Sequence, residues 1–265
     1  MTITYLDYLK ENPIEYERFL TLRRTLENLR TFLAGRSVLD FGASYGLSAC
    51  AYVEVGASRV VGVEPDPLRV ARGNQIIREL GLSDKITLSQ TTSTDQLQFQ
   101  DDSFDTVFAN AVLEHIPQPR ARFVREMWRV LKPGGHLIIN ETPNKYLPID
   151  YHTTGGLWFV PWLPKNAARR YAIWRNRFGE DKDWDHSGWR GIGFYEIARA
   201  LGPGYRLVPE VSHRRHRALA KLGLPPSLFD PYPLLIFSKQ EERESRENDM
   251  PCHGGKITVS GVPPL

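Results

Sequence analysis

The sequence predicts an α/β domain, a doubly wound and mostly parallel sheet with helices on both faces. Two observations carry this. Short apolar runs alternate with helical segments from Ser37 to Asn140, the pattern of parallel strands joined by right-handed crossovers. A glycine-bearing turn, Gly42 to Gly46, follows the first apolar run, where open parallel sheets bind ligands. The 265 residues are enough for one such domain with a sizeable core, and 41% hydrophobic and 25% charged content is ordinary for a globular protein.

At the start, Asn12-Pro13 reads as an N-cap followed by proline at the first helical position. Phe19, Leu22, Leu26, Leu29 and Leu33 recur at helical steps up to Gly35, so residues 1–35 are expected to form a helical cap on the edge of the main fold. Ser37–Phe41 is a buried-strand candidate, Ser48–Val55 a helix and Arg59–Glu64 a β-branched strand. Pro67–Leu80 reads as a helix stopped by Gly81. Ile86–Ser89, Phe104–Ala109 and Leu137–Asn140 are further strands, Arg120–Leu131 a helix, and Lys132–Gly135 a turn. Residues 143–200, rich in Trp, Tyr, Pro and Arg, break the rhythm and read as an inserted lid or acceptor region within a domain spanning 36–240. Tyr205–Val211 and Pro233–Ser238 read as a closing antiparallel pair, and the polar, Gly- and Pro-rich 241–265 as a disordered tail.

Several classes are excluded or disfavoured. No run approaches the roughly 18 apolar residues of a membrane span, and Asp7 and Glu11 interrupt the start, so no secretory signal is read there. Two distant cysteines, Cys50 and Cys252, argue against a disulfide framework or zinc cluster and fit a reducing, cytoplasmic setting. A net charge of +3 does not indicate nucleic acid.

Four segments carry the chemistry. Val38-Leu39-Asp40-Phe41-Gly42-Ala43-Ser44-Tyr45-Gly46 joins a strand to a helix with G-x-x-x-G spacing, unlike the G-x-G-x-x-G of dinucleotide binders. Its glycines let backbone approach a ligand closely, and Asp40 can accept from a ligand ammonium, directly or through water. Val60–Glu64 is a strand ending in a carboxylate, which can accept from both hydroxyls of a ribose. The competing reading makes Glu64 a capping or solvated residue, but Asp66 in Pro65-Asp66-Pro67 already offers that cap. Phe99–Asn110 with Leu113-Glu114-His115-Ile116-Pro117 is the third segment, and Val130-Leu131-Lys132-Pro133-Gly134-Gly135-His136-Leu137 the fourth.

In this order and spacing the four segments resemble the class I S-adenosyl-L-methionine-dependent methyltransferases, the family typified by quinone-biosynthesis C-methyltransferases and many small-molecule methylators. The resemblance covers about residues 36–142. It implies a Rossmann-like, seven-stranded, mostly parallel sheet of order 3-2-1-4-5-7-6, with S-adenosyl-L-methionine lying over strands one, two and four. It places Asp40, Gly42 and Gly46 at the methionine part of the cofactor, Ser44 at its carboxylate, and Glu64, with Pro65 beside it, at the ribose. Family members often carry an acidic residue about six positions before the counterpart of Phe99; this chain has Ser93 there, so Ser93 or Thr94 is expected to serve the adenine. Asn110 is expected where cofactor and acceptor meet. No metal is called.

A base is needed only if the acceptor is a hydroxyl or an acidic carbon. The candidates are His115, in Leu-Glu-His, His152 after Asp150-Tyr151, and His186 in Asp183-Trp184-Asp185-His186. The plainer reading of His115 is a helix-start residue packed near the cofactor. The aromatic stretch Leu157–Pro164 and a helix expected over Lys165–Phe178, with Tyr171, Trp174 and Phe178 on one face and four arginines elsewhere, read either as a lid helix packed on the sheet with solvated arginines or as a site for an acceptor with apolar and anionic parts. That acceptor is a small molecule or a lipid-linked or phosphorylated glycan, with peripheral contact at the inner membrane surface as a further expectation. His213–Arg217 adds a basic cluster. The competing functions are an RNA or protein methyltransferase, against which Ala109-Asn110-Ala111-Val112 lacks an Asn-Pro-Pro-Tyr-like segment, and a non-catalytic or NAD-binding protein.

Overall fold

The computed structural model describes residues 13–93, 95–116, 119–208, 219, 221–222, 224–225 and 227–240. Five parallel strands form the body of the sheet: β1 (Ser37–Phe41), β2 (Arg59–Glu64), β3 (Ile86–Gln90), β4 (Phe104–Asn110) and β5 (Leu131–Asn140). A two-residue hairpin, β6 (Ile149–Asp150) and β7 (Leu157–Trp158), stands apart. β8 (Tyr205–Leu207) and β9 (Leu235–Lys239) close the edge, β9 antiparallel to β5 and β8 antiparallel to β9. The sheet order is 3-2-1-4-5-9-8. With the detached hairpin left out of the count, this is the 3-2-1-4-5-7-6 order implied by the resemblance. Lys132–Gly135, expected as a turn, lies inside β5, where the register jumps from Phe104–Leu131 to Thr106–His136. Lys132 reaches back to Asp105 Oδ1 at 2.9 Å and fastens the bulge.

The strands bury both faces, so successive residues enter opposite cores. Val38, Val60, Phe108, Ile138 and Ile236 face one side with α1 (Pro13–Asn28), α2 (Arg30–Leu33), α3 (Leu47–Glu54) and α4 (Pro67–Glu79). Leu39, Val61, Val107, Leu137 and Phe237 face the other, against α5 (Ala121–Arg129) and α7 (Phe194–Leu201). The N-terminal helix is therefore no edge cap. Phe19, Leu22, Leu26, Leu29 and Leu33 are buried in the same cluster as Tyr52 and Phe108. The expected single helix breaks at Leu29, whose backbone leaves the helical region while its side chain stays buried. Asn12, expected to cap it, lies outside the described residues.

Between β5 and α7 runs the inserted stretch. It holds the hairpin, α6 (Lys165–Trp174) and a small core of its own in which Leu157, Val160, Ala168 and Ala172 pack with Trp184 and Trp189. The two indoles stack with centroids 5.4 Å apart. α6 ends four residues before the expected Phe178, and its expected aromatic face divides: Trp174 is exposed while Phe178 packs edge-on against Trp184. α7, although within 143–200, belongs to the layer flanking the sheet, because Ile197, Ala198 and Leu201 are buried in its core. The closing strands are shorter than the sequence runs that suggested them; Val211, His213–Arg217 and residues 241–265 fall outside the described residues. Among the described residues no helix is long and apolar enough to cross a membrane.

Candidate active site

The carboxyl ends of β1, β2 and β4 are neighbours in the sheet, and they bring three of the sequence segments side by side. After β1 the chain makes a loop in which Gly42, Ser44 and Gly46 all take positive φ (83°, 49° and 85°). That backbone is inexpensive only for glycine. Gly42 is needed twice over, since a Cβ there would collide with Val112 Cγ2 from the turn after β4. At Gly46 the space is taken by Leu88. The room freed by these glycines is thus filled partly by the protein itself.

Glu64 ends β2 and is 7% exposed. Its Oε2 accepts from the Ser44 N–H at 3.0 Å and its Oε1 from the Asp66 N–H at 3.2 Å, tying the loop to the strand. Asp66 caps α4 by accepting from Leu68 N at 2.9 Å, the role the sequence gave it. Pro65 between them is exposed, and its carbonyl accepts from Gln90 at 3.4 Å. Asp40 is more enclosed than expected: it is 1% exposed, and its carboxyl accepts from Ser48 Oγ at 2.6 Å and Tyr52 OH at 3.4 Å. Burial raises its pKa to about 7, against the pull of those two hydroxyls. Asp40 thereby anchors α3 to the loop from behind.

On the β3 side, Ser93 donates a short hydrogen bond to Asp95, which also pairs with Arg122 at 3.0 Å. Thr94 lies outside the described residues. The carboxylate that stands beside Ser93 is that of Asp95, two positions on. At the end of β4, Asn110 Oδ1 accepts from Asn140 Nδ2 at 2.8 Å, and its own amide donates to Glu141 at 3.4 Å.

Of the three histidines, two meet. His115 follows β4 in a one-turn helix over Leu113–His115, and its ring lies 5.5 Å from that of His152 in the insertion. Burial and the neighbouring His115 lower the His152 pKa. Asp150 does not orient the His152 ring, because its Oδ1 is spent on the backbone N–H groups of His152 and Thr153. His186 stands apart and exposed, its Nδ1 2.6 Å from Asp183 Oδ2. Asp185, its sequence neighbour, pairs instead with Lys165 at 2.6 Å. Only the His186 carbonyl joins the cluster, accepting from His115 Nδ1 at 2.7 Å. Beneath the pair sits Glu114, 1% exposed, its Oε2 accepting from Thr142 at 3.0 Å. Burial raises its pKa, opposed by His115 and Arg120.

A cavity of about 520 Å³ opens between the insertion and the α5 and α7 layer, lined among others by Arg120, Lys145, Tyr146, Trp162, Arg190 and Glu196. It shares no lining residue with the β1 loop, Glu64 or Asn110, so it is an annex of the insertion and not the cleft over the strand ends.

Comparisons with known proteins agree with this layout. The sequence model of the family described as a methyltransferase domain matches residues 39–139. An uncharacterized methyltransferase of Mycobacteroides abscessus is 41% identical over 110 residues, 42% of this chain and 41% of that protein. A ubiquinone biosynthesis O-methyltransferase of Pseudomonas aeruginosa is 34% identical over 143 residues, 52% of this chain and 58% of that one. The match thus spans about two fifths to three fifths of these relatives. A crystal structure from Methanococcus maripaludis, provisionally assigned as an S-adenosyl-L-methionine-dependent methyltransferase, shares the fold with a TM-score of 0.54 at 16% identity, covering 89% of this chain and 91% of that one.

Proposed function

We propose, from the premise that residues 39–139 are a domain of the class I S-adenosyl-L-methionine-dependent methyltransferase family, that this chain methylates a small-molecule or glycan, including lipid-linked, acceptor, on oxygen. The observation that supports it most is the convergence of the glycine loop, Glu64 and Asn110 at the ends of three adjacent strands. The residues fit the cofactor by their chemistry: a nearly buried carboxylate for two hydroxyls, a loop of positive-φ residues beside it, and a side-chain amide next to the point where an acceptor enters. Glu64 would hold the ribose; Gly42, Ser44 and Gly46 the methionine moiety; Ser93 and Asp95 the adenine edge. Asp40 supports that loop through Ser48 and Tyr52.

The cofactor brings a methyl group on a sulfonium, whose departure as a neutral thioether needs no acid. The protein's own task is alignment and exclusion of water. The insertion supplies the acceptor wall. It touches the turn after β4 through the His186 carbonyl and through His152, and it presents Tyr151, Trp158, Phe159 and Trp162 half-exposed. Aromatic walls with few polar groups suit a small-molecule site, and Arg190 on the cavity rim offers a partner to an anionic group. His152, whose pKa is lowered by desolvation and by the neighbouring His115, is the proton acceptor for a hydroxyl; His186, paired with Asp183, is the weaker candidate. The O-methyltransferase relative supports oxygen as the target.

Calorimetry tests the cofactor: S-adenosyl-L-homocysteine should bind and NAD should not. Incubation with labelled S-adenosyl-L-methionine and fractionated cell extract tests the acceptor. Label recovered in RNA or protein and absent from small molecules and glycans would reject the acceptor class.

A further inference from the structure

Glu114 Oε1 is buried and has no hydrogen-bond partner. Leaving a carboxylate oxygen dry and unpaired is among the costlier things a fold does. What faces it is unusual. His115 Nε2 lies 3.8 Å away. The tautomer of that ring is set on its far side: Nδ1 is 2.7 Å from the His186 carbonyl oxygen, which can only accept, so Nδ1 carries the hydrogen. In the neutral ring Nε2 therefore points a lone pair toward an oxygen that also has only lone pairs to offer. Were Nε2 protonated and bonded to Glu114, the separation would be near 2.8 Å. The His152 ring packs against His115, and one donor atom from each of Glu114, His115 and His152 lies within 4.8 Å of the others.

We propose that Glu114, His115 and His152 bind a divalent cation of the zinc class, with two imidazoles and one carboxylate as ligands. The donor set suits such an ion. Bonds of about 2.0–2.2 Å place neighbouring donors roughly 3.3 Å apart, so the trio closes by no more than about 1.5 Å, within reach of rotations at the exposed His152. Each of the other two ligands is already oriented from behind, His115 by the His186 carbonyl and Glu114 by Thr142, as outer partners orient metal ligands. Gly188 leaves the space: a Cβ there would press on the His152 ring and on Glu114 Cγ. Glu141 and Asp150, which share the neighbourhood of Tyr232 with Glu114, add negative charge, against Arg120 and, beside Asp150 and Tyr232, Arg190. With the ion bound His152 is a ligand and not the proton acceptor named above, and three protein ligands leave a position for water or an acceptor oxygen. That last use rests on the methyl-transfer reading; the metal binding does not.

The test uses the full chain, stripped with a chelator and titrated with Zn²⁺ by calorimetry and with Co²⁺ by visible absorption. One equivalent should bind, and cobalt should give the intense bands of a low-coordinate site. In nitrogen-detected NMR of the unmutated chain, Zn²⁺ should move the ring signals of His115 and His152 and leave His136 and His186 in place. His152→Ala and Glu114→Gln should each weaken binding by more than the about 10–100-fold that loss of an outer partner costs, and Thr142→Val should fall inside that range. S-adenosyl-L-homocysteine binding, measured separately, shows that each variant is folded and keeps the metal question apart from the methyl-transfer one. Absence of stoichiometric binding, or zinc shifts confined to His213, His216 or His253, would overturn the site.

Discussion

Glu64 carries the most at the scale of a single residue, because it pins the loop and, in the function proposed, would hold the ribose. Glu64→Ala should weaken S-adenosyl-L-homocysteine binding by about 1.5–3 kcal/mol, the worth of a hydrogen bond to a charged group, or roughly 10- to 150-fold. Calorimetry on a variant with an unchanged circular-dichroism spectrum checks this; equal affinity would remove the ribose role. Asp40 makes a different prediction. Its folded-state pKa, about 7, stands above the 3.8 of a free carboxyl, so the folded chain holds the proton more tightly than the unfolded chain. The resulting stability is complete below about pH 4 and is lost as pH rises through 7, by up to about 1.4 kcal/mol per pH unit. Asp40→Asn cannot ionise, so its stability relative to the parent should climb between pH 4 and pH 7. Urea titrations at a series of pH values would show it; a difference constant across that window would mean that Asp40 is ionised throughout.

Among the elements, the β1 loop is where sequence reasoning and structure agree in outline and part in detail. That the strand-to-helix turn needs Gly42 and Gly46 was legible; that both take positive φ is what the structure adds. The contact with Val112 was not legible, because it joins two turns 70 residues apart. Gly42→Ala should therefore destabilise by about 1–3 kcal/mol from backbone strain alone, with the Val112 collision in addition. Adding Val112→Ala should relieve the collision and leave the strain. A double mutant as stable as the parent in denaturant unfolding would show that the backbone relaxes freely. The same limit applies to the histidine cluster. His115 and His152 were each singled out by neighbouring sequence, yet their meeting, and the exclusion of the His186 ring, depend on how the insertion folds back. The link between Ser93 and Asp95 was not readable either, because spacing along a loop does not say which side chains turn toward each other.

Across the whole molecule, strand periods and connecting helices made the parallel sheet readable, because each βα unit is a local pattern, while its strand order came from the family resemblance. The place of the N-terminal helix was not readable, since an apolar stripe tells that a helix is buried and not where. Its burial against Tyr52 and Phe108 makes it a layer of the domain. Leu26→Ala should then cost about 2–5 kcal/mol, the range for a leucine removed from a core. A loss below 1 kcal/mol in urea unfolding would return the helix to the edge.

Cys50 lies on α3, beside the Asp40 network and buried in the same cluster as that helix. Burial, with Glu54 and Asp40 nearby, pushes its thiol up to about 12, so at neutral pH almost none of it is thiolate and none of it meets solvent. Alkylation must wait for the helix to lift. In a Cys252→Ser background the labelling rate of the remaining thiol becomes a clock for opening of the cofactor-side core, read as a local free energy and not a global one. A ligand clasped by the glycine loop should slow that clock in proportion to its occupancy, which turns one silent cysteine into a reporter of binding that needs no knowledge of the acceptor.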